Sequence, residues 1–155
     1  MPRAYAEGLS TMTNVRLAEA FLDKARERLK ALDGLRKEAD YSDVIREARD
    51  IVELCFRGIL RIMGVEVSRY RDAGEVLNEN MPRLPMEVRA HAERIHEIYA
   101  DLTRQRSLVP LEEGAPVEKL LLVDADRATA EAEWILEMAQ VTLDTMAHRR
   151  APASR

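Results

Sequence analysis

Apolar residues recur along the chain at spacings of three and four positions, which is the period of an amphipathic α-helix. The first stripe follows Thr13 and Asn14, two residue types that commonly cap helices. Asp33 and Gly34 come after it, and because glycine readily takes the left-handed angles that end a helix, helix one is predicted to end there. Its predicted core-facing residues are Leu17, Ala20, Phe21, Ala25, Leu29 and Leu32.

Helix two, predicted over residues 42–63, is apolar around much of its circumference. One stripe comprises Ile45, Ala48, Val52, Cys55, Ile59 and Ile62, and a second face adds Phe56, Leu60 and Met63. Such a helix is expected at the centre of a fold, packed by several neighbours or by another subunit. Gly58 inside it costs about 1 kcal/mol relative to alanine, which predicts that another helix backbone approaches closely there. Gly64 then ends the helix.

The second half of the chain carries three further helical patterns. A short helix is predicted over residues 71–78, and helix four over residues 86–107, after two prolines. Helix five is predicted over residues 125–147 with Asp124 as its cap, after a loop at 110–116. The predicted inward residues are Val88, Ala92, Ile95, Tyr99 and Leu102 in helix four, and Ala128, Ala132, Ile135, Ala139, Thr142 and Met146 in helix five.

No segment shows the alternating period of a β-strand, so the predicted fold is all-α, an up-and-down bundle of four to five helices. The chain has 155 residues, which is enough for one domain with a real core. We expect that domain to span residues 13–148, with a flexible N-terminus at 1–12 and a flexible tail at 149–155.

Composition narrows the class of function. The formal net charge of −4 argues against a general nucleic-acid binder, because phosphate affinity needs a basic face. Cys55 is the only cysteine and sits on an apolar stripe, so a buried, inert thiol is expected. The sequence shows no secretory signal and no apolar run near the ~20 residues that span a bilayer. A cytoplasmic protein without membrane association is therefore expected.

Residues 41–80 resemble the HEPN domain family. The shared pattern is a helix that ends in a Gly-Val-Glu step, then a short helix and an ending of the form Val-Leu-Asn-Glu-Asn. The segments AEAFLDKARERLKAL and AEWILEMAQ fit the first and last helices of that family, so the resemblance covers roughly residues 14–146. One difference is Arg71-Asp72, because the family often places His-Asp before the short helix.

The resemblance implies a HEPN-like bundle that forms a homodimer and requires no cofactor. It also implies a link to nucleotides or RNA, and pairing with a minimal nucleotidyltransferase in a toxin–antitoxin-type system. Active members of the family are metal-independent endoribonucleases with an Arg-x(4–6)-His motif, and others are binding or scaffold modules. An interaction module is therefore predicted, with a ribonuclease as the alternative.

Arg89 and His96 match the ribonuclease motif within the predicted helix four. Seven residues at ~100° each bring the two positions within about 20° on a regular helix surface, ~10 Å apart along its axis. Histidine there can act as general acid or base, and arginine can stabilise the charge on a phosphorane. The alternative, favoured by the apolar neighbours Val88 and Ala90, is a solvated flank in which Arg89 pairs with Glu93.

Four arginines around the end of helix two form a candidate ligand site: Arg57, Arg61, Arg69 and Arg71. Guanidinium groups suit a nucleotide phosphate or the acidic surface of a partner protein. The alternative is pairing with nearby acids, which are Glu53, Glu66, Asp72 and Glu75. No metal site is predicted, because His91 and His96 lie ~140° apart around a helix and cannot share an ion on one face.

Overall fold

The computed structural model describes the backbone of residues 3–104 and 117–150, and the side chains of residues 12–103 and 122–148. Every regular element in these ranges is helical, which confirms the all-α prediction. The elements are α1 (Arg3–Lys37), α2 (Tyr41–Ile62), α3 (Ala73–Glu79), a 3₁₀ turn (Met81–Arg83), α4 (Met86–Arg89), α5 (Ala92–Arg104) and α6 (Val117–Arg150). The predicted loop at 110–116 and residues 151–155 of the predicted tail lie outside the described residues.

Contacts between α1 and α6 show how the bundle runs. Arg36 of α1 lies 2.9 Å from Asp126 near the start of α6, whereas Arg26 donates to Gln140 further along α6. Residue numbers therefore fall along α1 as they rise along α6, so the two helices are antiparallel. None of the helices in the described ranges has the length and apolar character needed to cross a membrane.

Helix α2 lies at the centre of the bundle, where it contacts α1, α6 and α3. Its buried residues are Val44, Ala48, Ile51, Val52, Cys55, Phe56, Gly58, Ile59, Leu60 and Ile62. A Cβ added at Gly58 would lie 3.3 Å from Leu22 Cδ2 and 3.5 Å from the Ala18 carbonyl oxygen of α1. The predicted central position and the predicted close approach at Gly58 are both confirmed.

Cys55 is fully buried within α2, as predicted. Burial raises the pKa of its thiol to about 12. Since the thiolate is the nucleophilic form of cysteine, this side chain remains an unreactive thiol at neutral pH.

The buried face of α1 is rotated from the predicted stripe. Its fully buried residues are Ala18, Leu22, Ala25 and Leu32. Ala20, which was predicted to face the core, is exposed. The residue whose backbone lies against Gly58 of α2 is Ala18. Helix α1 also begins at Arg3, well before the predicted start near Thr13.

Helix α1 ends at Lys37 and its left-handed terminating residue is Ala39, whereas the sequence predicts both at Gly34. Ala39 takes the left-handed angle, with φ 57°, and the helix runs through Gly34 to Lys37. The N–H of Asp40 donates to the carbonyl of Leu35 at 3.1 Å, which closes the terminal turn. Leu35 packs against the core, and this contact holds the helix past Gly34.

Exchanging the residue types at these two positions should stabilise the protein. Ala39→Gly removes the strain of a left-handed angle, worth about 1 kcal/mol. Gly34→Ala gains about 1 kcal/mol, because the position is exposed and a Cβ would meet open space. We expect the two gains to add and to raise the thermal midpoint by several degrees in calorimetry. Gly64→Ala, at φ 77°, is the control and should lower the thermal midpoint. A double variant of Gly34 and Ala39 that is no more stable than wild type would contradict the prediction.

The predicted helix four is in fact two helices. Helix α4 ends at Arg89 and α5 begins at Ala92, with a turn at residues 90–91 between them. The N–H of His91 donates to the carbonyl of Val88 at 2.9 Å, three residues back instead of four. Side-chain angles that assume one regular helix therefore do not hold across this turn.

Helix α6 begins at Val117, so the predicted cap Asp124 lies inside the helix. Its inward stripe is as predicted, with Ala128, Ala132, Ile135, Ala139 and Thr142 buried and Met146 partly buried. The buried hydroxyl of Thr142 donates to the carbonyl of Met138 at 2.7 Å. This bond removes the cost of burying a polar group there.

Candidate functional site

A cleft of about 370 Å³ lies between α2 and α5, and residues 69–72 complete its lining. The charged residues that line it include Arg49, Asp50, Glu53, Arg57, Arg69 and Arg71. Phe56, Tyr70 and Tyr99 contribute aromatic surface. A cleft of this volume with mixed charged and aromatic walls suits a small polar ligand.

Three of the four arginines predicted to bind a ligand lie in this cleft. Arg57 pairs with Glu53 of its own helix at 3.2 Å. Arg71 makes two bonds to the carboxylate of Glu79, at 2.5 and 3.2 Å. Arg69 is exposed and has no ion pair among the described residues. Of the three, Arg69 is therefore the guanidinium most available to an incoming anion.

Arg61, the fourth predicted arginine, lies outside the cleft. It lines a separate recess beside Phe21, and its Nη1 lies 2.8 Å from Glu66 Oε1. Two of the predicted local pairs, at Arg57 and Arg61, are thus formed. Arg71 is held by Glu79, not by a nearer acid, and the structure does not bring the four arginines together as one site.

Asp72 connects α3 to α5 at the floor of the cleft. Its Oδ1 accepts from the N–H of Gly74 at 3.2 Å, which caps α3. Its Oδ2 accepts from the Tyr99 hydroxyl at 2.7 Å. Burial, and then this bond to Asp72, raises the pKa of Tyr99 to about 12, so the phenol stays protonated and donates.

Gly74 is the residue that lets the Tyr99 ring lie against α3. A Cβ at Gly74 would sit 2.2 Å from Tyr99 Cε2 and 2.3 Å from Cδ2. Those distances are far inside van der Waals contact, so only glycine fits beneath the ring. The position of Tyr99 in the cleft thus depends on both Gly74 and Asp72.

Arg69 and Tyr70 form the mouth of the cleft. The Tyr70 side chain is 88% exposed, and the Arg69 Cζ lies 6.0 Å from its ring centroid. Ser68 shapes the turn, because its Oγ accepts from the Tyr70 N–H at 3.2 Å. Together, an exposed aromatic ring and a guanidinium without an ion pair in the described part of the chain can stack against a planar group and bind an anion.

The Glu53 carboxyl competes with any anion for the cleft. Burial raises the pKa of Glu53 above its usual value, the Arg57 guanidinium partly opposes that rise, and the Asp72 carboxylate adds to it. An anion that approaches Arg57 therefore meets an arginine already paired with a partly desolvated carboxyl.

The structure keeps Arg89 and His96, the predicted ribonuclease pair, out of this cleft. Arg89 Nη1 donates to the Pro82 carbonyl at 3.2 Å, not to Glu93 as the alternative prediction had it. His96 is exposed on α5 and lines a recess of only about 10 Å³. The turn at 90–91 separates the two residues, so the predicted separation of about 20° along one helix does not apply.

A second electrostatic feature lies between α5 and α6, at Glu131. The Oε2 atom of Glu131 is buried without a hydrogen-bond partner. Burial, and then repulsion from Asp101, raises the pKa of this carboxyl to about 7, although Arg127 and Arg94 oppose the rise. Among the described side chains, no group of three or more His, Cys, Asp or Glu residues could hold a metal ion.

The Glu131→Gln substitution should stabilise the protein in alkaline solution and leave its stability unchanged in acid. Because the folded-state pKa is raised from 4.5 to about 7, the stability that protonated Glu131 contributes is complete below pH 4.5 and is lost as pH rises through 7. The shift corresponds to about 3 kcal/mol in full, and screening of this half-open side chain reduces it to about 1 kcal/mol. Urea unfolding should therefore show the variant more stable at pH 8 and equal to wild type at pH 4. Glu133→Gln, at an exposed position of α6, is the control, and equal curves at pH 8 would contradict the shift.

Several cleft residues are not indicated by the sequence. Tyr99 follows the helical stripe and is predicted only as a core residue, and its partner Asp72 lies 27 positions away. Tyr70 carries no periodic signal. Arg49, by contrast, does have a periodic signal in the sequence, because Glu53 and Arg57 follow it at four-residue steps and so lie near it on α2.

No curated protein and no solved structure matches the chain. A sequence model of one family, described as the HEPN domain, matches residues 18–144. That span is most of the 155-residue chain and contains the whole cleft between α2 and α5. The protein folds as antiparallel helices around a central α2, which agrees with the helical bundle that the family resemblance implies. The chain therefore belongs to the HEPN domain family.

Proposed function

We propose that the protein is a nucleotide-associated helical interaction module whose cleft between α2 and α5 binds a phosphate-bearing ligand. The observation that carries the proposal is the cleft mouth, where an exposed Arg69 without an ion pair in the described structure adjoins the 88% exposed Tyr70. Arginine offers a planar fork of donors to phosphate oxygens. An exposed tyrosine ring offers a stacking surface to a base. Membership of the HEPN family supports a role linked to nucleotides or RNA.

Titration calorimetry with nucleotides tests the cleft. We expect Arg69→Ala to weaken binding about tenfold, because a charge-assisted bond to phosphate is lost. Arg61→Ala is the matched control, since Arg61 lies in a different recess, and its effect should stay within about twofold. Absence of heat with every nucleotide and with RNA would overturn the proposal, as would an equal loss in both variants.

The proposed assembly is a homodimer that pairs with a minimal nucleotidyltransferase in a toxin–antitoxin-type system. HEPN domains commonly dimerise, which supports the first part. Sedimentation equilibrium should give twice the mass of the chain, and co-expression with a nucleotidyltransferase encoded beside it should yield a stable complex. A monomeric protein that forms no complex with the nucleotidyltransferase would contradict the proposed assembly. Nucleotide binding by the cleft is tested separately, by the calorimetry.

A metal-independent ribonuclease is the rival function, and incubation with RNA separates it from the binding module. The rival requires Arg89 and His96 to act on one phosphate, whereas Arg89 is engaged by the Pro82 carbonyl. We expect intact RNA after incubation with the wild-type protein. Cleavage that persists with a chelator and is lost in His96→Ala, with the helical fold retained, would replace the binding module by the ribonuclease.

A further inference from the structure

The charges of the cleft between α2 and α5 limit how much negative charge it can accept. Among the residues that the structure describes, its lining holds four arginines and three carboxylates. Glu53 occupies Arg57 at 3.2 Å, and Glu79 occupies Arg71 through two bonds. Within the described structure, Arg49 and Arg69 are the two lining arginines without an ion pair. Two available cations beside three acids suit one phosphate group and disfavour a longer polyanion.

Of the three acids, Asp50 is the one best able to accept hydrogen bonds from a ligand. Asp72 cannot readily do so, because the Gly74 N–H and the Tyr99 hydroxyl already occupy its two oxygens. Asp50 has a side chain 42% exposed and only a long contact of 3.6 Å to Arg28. Glu53 is already engaged by Arg57 at 3.2 Å and by the Ala73 N–H. The cleft therefore combines phosphate-binding arginines with carboxylate oxygens that suit neutral donors such as sugar hydroxyls.

The volume and the aromatic mouth set the size of the ligand. A cleft of about 370 Å³ is at the small end of the range for ligand sites and fits one nucleotide. Tyr70 at the mouth offers a single exposed ring, whereas binding of single-stranded nucleic acid commonly uses several aromatic residues along a basic groove.

We propose that the cleft selects a ribonucleoside monophosphate over a triphosphate or an RNA strand. The phosphate lies between Arg69 and Arg49, the base stacks on Tyr70, and the ribose hydroxyls donate to Asp50. The added phosphates of a triphosphate or of RNA meet Glu53 and Asp50 without further unpaired cations among the described lining residues, and that repulsion gives the selectivity. This inference rests on the proposed phosphate-binding function and names its ligand class.

The probes are the four ribonucleoside monophosphates, their triphosphates, inorganic phosphate and a ten-nucleotide RNA, titrated into the full chain by calorimetry. We expect the best monophosphate to bind about tenfold more tightly than its triphosphate, the RNA or inorganic phosphate. The 2′,3′-dideoxy form of that monophosphate should bind several-fold more weakly, because its donors to Asp50 are gone. The Tyr70→Ala variant should bind the best monophosphate about fivefold more weakly than the wild-type protein does.

Asp50→Asn tests the origin of the selectivity. Removing this charge should improve triphosphate binding about threefold and lower the preference for the monophosphate. Arg28 keeps its bond of 2.6 Å to Glu47 in that variant, so the fold should be retained. The control is Asp43→Asn, at a helix α2 acid that pairs with Arg46 outside the cleft, and it should leave the preference unchanged.

The outcomes separate this inference from the function on which it rests. Triphosphate or RNA binding as tightly as the monophosphate, with loss in Arg69→Ala, would overturn the selectivity and leave the phosphate cleft standing. An unchanged preference in Asp50→Asn would overturn the electrostatic origin. Binding by none of the probes would overturn both the selectivity and the proposed function.

Discussion

Replacing Gly74 by alanine is expected to lower the free energy of unfolding by about 2–3 kcal/mol, the range for overpacking a filled site. The new Cβ would lie 2.2 Å from the Tyr99 ring. The ring cannot simply turn aside, because its hydroxyl is held by Asp72 at 2.7 Å and the tilted ring of Phe56 lies beside it, with ring centroids 6.4 Å apart. Either α3 or the ring must move, and the hydrogen bond to Asp72 is lost. Chemical unfolding of the variant measures the loss.

Gly34→Ala is the matched control for this prediction, because the same substitution there meets open space and should raise stability. A second control is the double variant with Tyr99→Ala, in which the added methyl group has room. The coupling between the two changes should be about 1–2 kcal/mol in favour of the double variant. A Gly74→Ala protein as stable as wild type would show that the ring does not rest on Gly74 in solution.

The helical bundle could be predicted because the apolar residues that indicate it recur at a helical period in the sequence. Helix α2 is apolar on most of its surface, so the sequence correctly places it among several neighbours, and Gly58 correctly indicates a close helix. The inward stripe of α6 is also as predicted. These features depend on residues three or four positions apart, which sequence patterns describe well.

The errors arise where tertiary packing overrides a local preference. Gly34 has the residue type of a helix end, yet Leu35 packs on the core and the helix continues to Lys37, with the left-handed turn at Ala39. Arg89 and His96 have a motif spacing that a turn at 90–91 interrupts. In the first case the local pattern is sound and the packing of Leu35 on the core decides the outcome, whereas in the second the backbone turn itself breaks the spacing.

The cleft could be predicted only in part, for a related reason. Arg57, Arg69 and Arg71 are grouped correctly because they are close in sequence, although Arg61 does not join them. The contact between Asp72 and Tyr99 spans α3, a 3₁₀ turn and α4. No periodicity encodes a pair of that kind, so the floor of the cleft emerges only from the fold.

Phe56→Ala should produce the largest loss of stability of any change in the cleft, about 3–5 kcal/mol. The Phe56 side chain is 1% exposed in α2, and it forms part of the cleft wall. Truncation removes the packing of this ring, including its contact with Tyr99 at a centroid distance of 6.4 Å, and leaves a cavity in the core. Urea unfolding at neutral pH should show this loss directly.

The protein has two phenylalanines, and the other supplies the control for that change. Phe21 of α1 is only partly buried, so Phe21→Ala should cost less than about 2 kcal/mol. Phe56→Leu keeps most of the volume and should remain folded, which allows ligand titration if the alanine variant does not fold. Because Phe56 packs behind Tyr99, its leucine variant should also weaken nucleotide binding, whereas Phe21→Ala should not. Equal losses of stability in the two alanine variants would contradict burial as the reason for the larger loss expected at Phe56.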